Sequence, residues 1–241
     1  MFTTMTISSQ PQTLAFDVYG TLIDTHGLVS LLEAFAGDKA EALSQLWRQK
    51  QLEYSFRRAL MRRYCPFPEC TAQALEFACA SFQIVISATQ RRELLDGYRR
   101  LPAFPDVANG LERAREAGFR LFAFSNGVAS DVESLLDHAG IREFFLDIVS
   151  VDEVRSFKPD PEVYRHFMHR AESLPEQTWL ISSNPFDVTG ARAVGMEALW
   201  VRRSGDAVFD PWEFRPTATV SDLAQVADVI MRARRQEAAR Y

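Results

Sequence analysis

The run Leu14–Asp24, LAFDVYGTLID, decides how this chain is read. Its opening residues are apolar and built for burial, as in a short strand inside a sheet. The run then meets a carboxylate, Asp17, and bends at once through Tyr19-Gly20-Thr21. A charge at the end of a buried strand is costly unless something pairs with it. Either a cationic partner lies elsewhere in the chain, or Asp17 is held ready for chemistry.

Downstream of Phe104 the sequence alternates between strand-like and helix-like segments. DVANGLERAREAG reads as an amphipathic helix stopping at Gly118, and FRLFAF follows as a strand reaching Ser125-Asn126-Gly127. SDVESLLDHAG is the next helix, with Ser130 as its expected cap and Gly140 as its end. FLDIVSV, TWLISS and ALWVRRS supply further strands, with PEVYRHFMHRAES and DVTGARAVG as helices between them, and SDLAQVADVIMRARRQEAAR closes the chain. Strands alternating with helices imply parallel pairing in a doubly wound α/β sheet. Residues 26–101 break the rhythm. LVSLLEAFAG, AEALSQLWRQKQLEYSFRRALMRRY, TAQALEFACASFQI and TQRRELLDGYRR all read as helices, punctuated by CPFPEC and LPAFPDV. The expected organisation is an α/β core from residues 1–25 and 102–241, with a helical insert at 26–101.

The 241 residues are 47% hydrophobic, enough for one large domain or a domain with an insert. A formal net charge of −5 speaks against a nucleic-acid or membrane-surface partner. No apolar run approaches the roughly 18 residues a membrane span needs. The N-terminal MFTTMTISSQPQ has no basic start, apolar core or cleavage signal, so a cytoplasmic location is expected. Cys65, Cys70 and Cys79 match no zinc spacing and read as reduced structural thiols. The arginine-rich SFRRALMRRY and RRELLDGYRR also carry apolar residues at helical spacing, which favours solvated helix faces over phosphate sites.

Ligands of an open parallel sheet bind at the carboxyl ends of its strands. Four polar clusters fall at or beyond such ends: Asp17 to Thr21, Ser125-Asn126-Gly127, Lys158 in SFKPDPEVY, and Ser182-Ser183-Asn184 with Asp187. KPDPE reads as a helix start, with Asp160 capping and Pro161 in the first turn, which fixes Lys158 on a rigid loop. Lys158 is the natural partner for Asp17, although a surface lysine ahead of an ordinary helix is an equally simple reading. Asp17 could instead cap the Gly20-Thr21 turn, and Asp17 with Asp187 could supply carboxylates to a magnesium ion. Against the metal, Asn184 is neutral and Tyr19 stands where a second acid would strengthen the site.

FDVYGTLID, FSNG, FKPDPEVY and SSNPFDVTGA, in this order, resemble the four motifs of the haloacid dehalogenase superfamily. With LWRQKQLEYSFRRALM in the insert, the chain resembles the (S)-2-haloacid dehalogenase branch over essentially its whole length. The resemblance implies a Rossmann-like core carrying a helical cap. It makes Asp17 the nucleophile toward the halogen-bearing carbon, Lys158 its orienting cation, and Arg48 the acceptor of the departing halide. Ser125 and Asn126, with the backbone at Val18 and Tyr19, would hold the substrate carboxylate. Thr21, Tyr164, Ser182, Asn184 and Asp187 would position Asp17, Lys158 and the hydrolytic water, and Tyr19 and Phe186 would supply apolar wall. Halide leaves without protonation, so neither a general acid nor a divalent ion is needed, and no metal or cofactor is expected. The implied partners are a small anionic 2-halocarboxylic acid and water, with homodimer formation usual in the branch. CPFPECTAQ, Pro185 and GDAVFDPWEFRPTATV depart from the branch's pattern and bear on substrate size and halide preference. Three alternatives stand beside this reading: a magnesium-dependent phosphatase, ester chemistry on a different leaving group, and a small-acid binding protein without turnover.

Overall fold

The computed structural model describes residues 12–238. The N-terminal stretch read for a leader, save Gln12, and the last residues of the closing helix lie outside it. Six strands form one parallel sheet in the order β3-β2-β1-β4-β5-β6. They are β1 (Thr13–Asp17), β2 (Arg120–Ser125), β3 (Asp147–Ser150), β4 (Thr178–Ser182), β5 (Glu197–Val201) and β6 (Ala218–Val220). All five residues of β1 and all five of β4 are buried, which is why both read as continuous apolar runs rather than alternating ones.

The order reverses at β1, whose neighbours are β2 and β4. Such a switch point opens a crevice at the carboxyl edge of a doubly wound sheet. Asp17 ends β1 and Ser182 ends β4, so both sit at that crevice.

Between β1 and β2 the chain makes α1 (Val29–Ala36), α2 (Ala40–Leu60), α3 (Phe67–Ser81) and α4 (Ala88–Gly97). After β2 come α6 (Ala129–His138), α7 (Pro161–Arg170), α8 (Pro185–Ala193) and α9 (Val226–Ala238), with α5 (Val107–Glu116) just before it. One cluster of buried side chains runs without a break from Phe16 and Phe124 in the sheet to Trp47, Phe67 and Leu75 in the insert. Each fully buried large side chain contributes about 1.5–3 kcal/mol, so docking the insert is a major part of the chain's stability. Among the described residues no helix is long and apolar enough to cross a membrane.

Three readings of the sequence are corrected and one strand is added to them. Helix α2 ends at Leu60 rather than Tyr64, because Arg62 adopts a left-handed backbone (φ 53°) and frees Tyr64 to hydrogen-bond Asp152. CPFPEC is not only punctuation: α3 begins at Phe67 inside it, with Pro66 as the N-cap residue and Pro68 in a first turn that tolerates proline. Ser130 does not cap α6. The helix starts two residues earlier, where the Val128 carbonyl takes the amides of Asp131 and Val132 at 3.1 and 3.0 Å. Finally, GDAVFDPWEFRPTATV contains β6, a three-residue edge strand behind prolines, too short to announce itself by pattern.

Candidate active site

The turn after β1 is built around one acceptor. The Val18 carbonyl receives the amides of Thr21, Leu22 and Ile23 at 3.3, 2.9 and 3.0 Å, and the Gly20 amide returns to the Ile23 carbonyl at 2.8 Å. Gly20 holds φ 84°, a conformation that other residues adopt only with strain. The tight loop folds Thr21 back so that its hydroxyl donates to Asp17 Oδ2 at 2.7 Å.

Two further donors reach the same oxygen from beyond β4: Ser182 Oγ at 3.1 Å and Asn184 Nδ2 at 2.7 Å. The Asn184 amide also donates to the Tyr19 carbonyl at 3.2 Å, and since both partners are acceptors its nitrogen must face them. Asp17 Oδ2 thus takes three donors, whereas Oδ1 takes one, Lys158 Nζ at 3.2 Å. The opening question has its answer in that contact: the partner exists, and it comes from a residue 141 positions away.

Lys158 is 1% exposed, and each of its three protons has an acceptor. These are Asp17 Oδ1, Asp187 Oδ2 at 2.8 Å and the Phe124 carbonyl at 2.9 Å, with the Phe124 ring centroid 4.0 Å from Nζ. Its backbone amide donates to Asn126 Oδ1 at 3.0 Å. Two residues on, the Asp160 side chain caps α7 at the Glu162 amide, as the sequence implies. Asp187, in the first turn of α8, is fully buried and also accepts from Tyr164 Oη at 2.8 Å. Burial pushes its carboxyl up to about 6, Lys158 opposing and Asp17 adding to the shift. Burial also raises the Tyr164 phenol, with the Asp187 charge adding, so Tyr164 remains a donor at neutral pH. Tyr164 can come so close only because residue 190 is glycine. A methyl there would overlap the Tyr164 hydroxyl and stand 2.8 Å from Pro159 Cβ.

The insert delivers Arg48 from α2. Its Nη2 approaches the Tyr19 carbonyl at 3.4 Å and its Nη1 donates to Gln51 Oε1 at 2.6 Å. Phe186 meets Phe56 of α2 edge-on, ring centroids 5.0 Å apart, and the Tyr19 ring packs against Phe67 and Tyr98. The backbone at Val18 and Tyr19 engages through its carbonyls, one inside the turn and one toward Arg48 and Asn184. Ser125, buried at the end of β2, accepts the Gly127 amide at 3.0 Å and does not touch Asp17. The residues singled out in the sequence lie in or beside one cluster, and among the described residues Thr21, Lys158, Ser182 and Asn184 are those whose side chains bond the Asp17 carboxylate.

Two participants, Ser183 and Gln51, were given no role in the reading of the sequence. The Ser183 amide donates to Thr21 Oγ1 at 2.8 Å and its hydroxyl to the Gly20 carbonyl at 2.7 Å. Gln51 accepts from Tyr98 Oη at 2.9 Å as well as from Arg48, and donates to Thr71 Oγ1 at 2.6 Å. Its place three residues after Arg48, on the same helix face, was the available signal.

This donor set does not suit a divalent cation. The Lys158 ammonium already bridges the two carboxylates, and Asn184 turns a donor toward Asp17 where a metal would need an acceptor. Among the described residues no group of three or more His, Cys, Asp or Glu could hold a metal ion.

Residues 11–195 match the family described as haloacid dehalogenase-like hydrolase. The chain is 39% identical over 218 residues to the (S)-2-haloacid dehalogenase of Pseudomonas sp. (strain YL), an alignment covering 90% of this chain and 93% of that one. It is 36% identical over 219 residues to haloacetate dehalogenase H-2 of Moraxella sp. (strain B), covering 91% and 97%. Its fold superposes on the L-2-haloacid dehalogenase of Xanthobacter autotrophicus with chloropropionic acid covalently bound, at a TM-score of 0.86 and 28% identity, covering 92% and 99%.

Proposed function

The chain belongs to the haloacid dehalogenase-like hydrolase family, and from that premise we propose that it hydrolyses short (S)-2-haloalkanoic acids to (R)-2-hydroxy acids. The reaction runs through an ester on Asp17 and uses no metal ion. One observation carries the reading, the unequal treatment of the Asp17 oxygens. Oδ2 is saturated by Thr21, Ser182 and Asn184, while Oδ1 keeps lone-pair capacity beside Lys158.

Oδ1 attacks C2 in line with the carbon–halogen bond. The O–C bond forms as the halide leaves with the bonding pair, and C2 inverts. Arg48, its fork held by neutral Gln51, keeps its charge for the departing anion. Ester formation makes Oδ2 the carbonyl oxygen. Water then attacks the ester carbon, and the same three donors stabilise the oxyanion that develops on Oδ2. Asp187, a carboxylate at neutral pH, can take the proton of the attacking water. Collapse breaks the bond from the ester carbon to Oδ1, which takes the proton back from Asp187 and departs as the hydroxyl oxygen of the product; the water oxygen remains in Asp17, whose carboxyl releases the second water proton to solvent.

On this reading residues 26–101 act as the cap that brings Arg48 and Phe56 to the core. The Asn126 amide nitrogen is left to face the halide side, and a cytoplasmic homodimer is expected. The test is chloride release from (S)-2-chloropropionate with and without EDTA, run beside a phosphate ester with magnesium. Chloride release indifferent to EDTA, with 18O from water entering Asp17, is expected. Phosphate release that needs magnesium, without chloride, would sink the proposal.

A further inference from the structure

Besides Arg48, the insert sends Tyr64 to the core. Four residues past the end of α2, Tyr64 donates its hydroxyl to Asp152 Oδ1, in the turn after β3. Burial raises the Tyr64 phenol and the Asp152 carboxylate adds to the shift, so the hydroxyl remains a donor at neutral pH. The Tyr64 ring lies on Phe157, centroids 5.0 Å apart, and the Arg155 guanidinium stands 5.5 Å from its centroid. Tyr64 is therefore gripped by the stretch that leads directly into Lys158.

Two routes run from this tyrosine to the loop Ser125-Asn126-Gly127. The first starts at its hydroxyl. The Asp152 amide donates to Ser150 Oγ at 3.1 Å, and the Ser150 hydroxyl donates to the Gly127 carbonyl at 2.7 Å. Ser150 ends β3 directly beside Ser125, its partner across the sheet. The second route starts at the ring. The residue after Phe157 is Lys158, whose amide donates to Asn126 Oδ1 at 3.0 Å. Ser150 and Phe157 are both buried, so both routes pass through the protein interior. The loop has little slack of its own: a Cβ on Gly127 would stand 2.8 Å from Val132 Cγ2 of α6.

We propose that Tyr64 is a positioning residue for this loop, its bond to Asp152 fixing where Ser125 and Asn126 stand to receive the substrate carboxylate. The inference rests on the proposed function, which takes the loop as the seat of that carboxylate. Arg48 is held by a different network, through Gln51 and Thr71 within the insert. The insert thus serves the two anions of the reaction separately, with Arg48 for the halide and Tyr64 for the carboxylate. A contact to the carboxylate exists in the bound substrate and in the transition state alike. Loosening the loop therefore raises KM and leaves kcat nearly untouched.

Tyr64→Phe removes the hydroxyl and keeps the ring. The probes are propionate, a carboxylate without a leaving group, and bromide, which reports on Arg48, each titrated calorimetrically into the intact protein. Tyr64→Phe should weaken propionate about tenfold and leave bromide within about twofold. For (S)-2-chloropropionate, KM should rise about tenfold with kcat nearly unchanged. Asp152→Ala should cause the same loss, and it reaches the bond from the core side should Tyr64→Phe fail to fold. The double variant should lose no more than either single one. Asp152→Asn, which keeps an acceptor for the hydroxyl, should hold propionate within about threefold of wild type. Equal weakening of both anions overturns the inference, because Tyr64 would then only seat the insert. So do unchanged propionate binding, additive losses, or a wild-type protein that binds no propionate. Propionate binding that follows these variants in a protein releasing no chloride would remove the proposed function and leave the positioning role standing.

Discussion

Replacing Lys158 with methionine keeps the side chain's length and removes its charge from between two carboxylates. The wild-type ammonium is 1% exposed and meets Asp17, Asp187 and the Phe124 carbonyl at 3.2, 2.8 and 2.9 Å. Breaking a buried pair from one side costs about 3–5 kcal/mol, but the size here depends on pH. Asp187 titrates at about 6 with the lysine present, and the lysine is what holds it down. A carboxyl whose folded value is raised gives stability at low pH that is lost as pH rises through that value. Below about pH 6 both proteins therefore fold with Asp187 neutral, and the variant lacks only the hydrogen bonds of Lys158, about 1–2 kcal/mol. Above that pH the wild-type curve levels while the variant's folded state still holds its proton. The gap opens by about 1.4 kcal/mol per pH unit, roughly 3 kcal/mol between pH 6 and pH 8. Guanidinium unfolding followed by tryptophan fluorescence across this window measures it. The double variant Lys158→Met/Asp187→Asn should close the pH-dependent part while remaining inactive. A gap that stays flat with pH, or one that the double variant leaves open, would refute the charge accounting for the site.

Arg48→Ala should lower the halide-releasing step by about a hundredfold or more, as loss of one preorganised electrostatic group does; single-turnover chloride release reads that step directly. Activity should fall by up to about tenfold per pH unit below roughly pH 6, as Asp187 takes up the proton it must leave free, and a kcat–pH profile of Asp187→Asn should show no such limb. Arg203 donates to the Thr21 carbonyl at 2.6 Å and to both oxygens of Asp106 at 2.8 Å, so it anchors the loop that aims Thr21 at Asp17. Arg203→Met should cut kcat about tenfold with KM nearly unchanged, and Thr21→Val should cost little more in that background; independent, additive losses would show that the two do not act together.

The strands and the four polar clusters were legible because each sits where an apolar run stops, a pattern that needs only neighbouring residues. The pairing of Asp17 with Lys158 could be inferred from charge alone. What could not be inferred was mostly backbone. The Phe124 carbonyl completes the coordination of Lys158, yet a carbonyl has no sequence signature. Asn126 follows a strand end, but the bond from the Lys158 amide to its side-chain oxygen joins residues 32 apart and has no sequence signature. Ser130 looked like a cap by residue type, whereas α6 is capped at Val128 with no side-chain hydrogen bond. The edge strand Ala218–Val220 has a single neighbour and three residues, too few for any periodicity.

The insert's contribution to the site rests on the neutrality of Gln51. One side-chain oxygen accepts both Arg48 at 2.6 Å and Tyr98 at 2.9 Å, and the amide nitrogen is held by Thr71 at 2.6 Å, whose hydroxyl is in turn committed to the Phe67 carbonyl at 2.9 Å. This chain spans α2, α3 and the turn after α4, so Arg48 cannot move without disturbing most of the insert. A glutamate at 51 would hold the guanidinium as firmly but neutralise it, whereas an amide fixes its direction and leaves its charge uncompensated. Lys158 is arranged the opposite way, each proton spent and its charge matched against two carboxylates. The two cations divide the work accordingly. Lys158 settles the charge of the resting site, and in the proposed reaction Arg48 is the cation left over for an anion that exists only once a bond has broken.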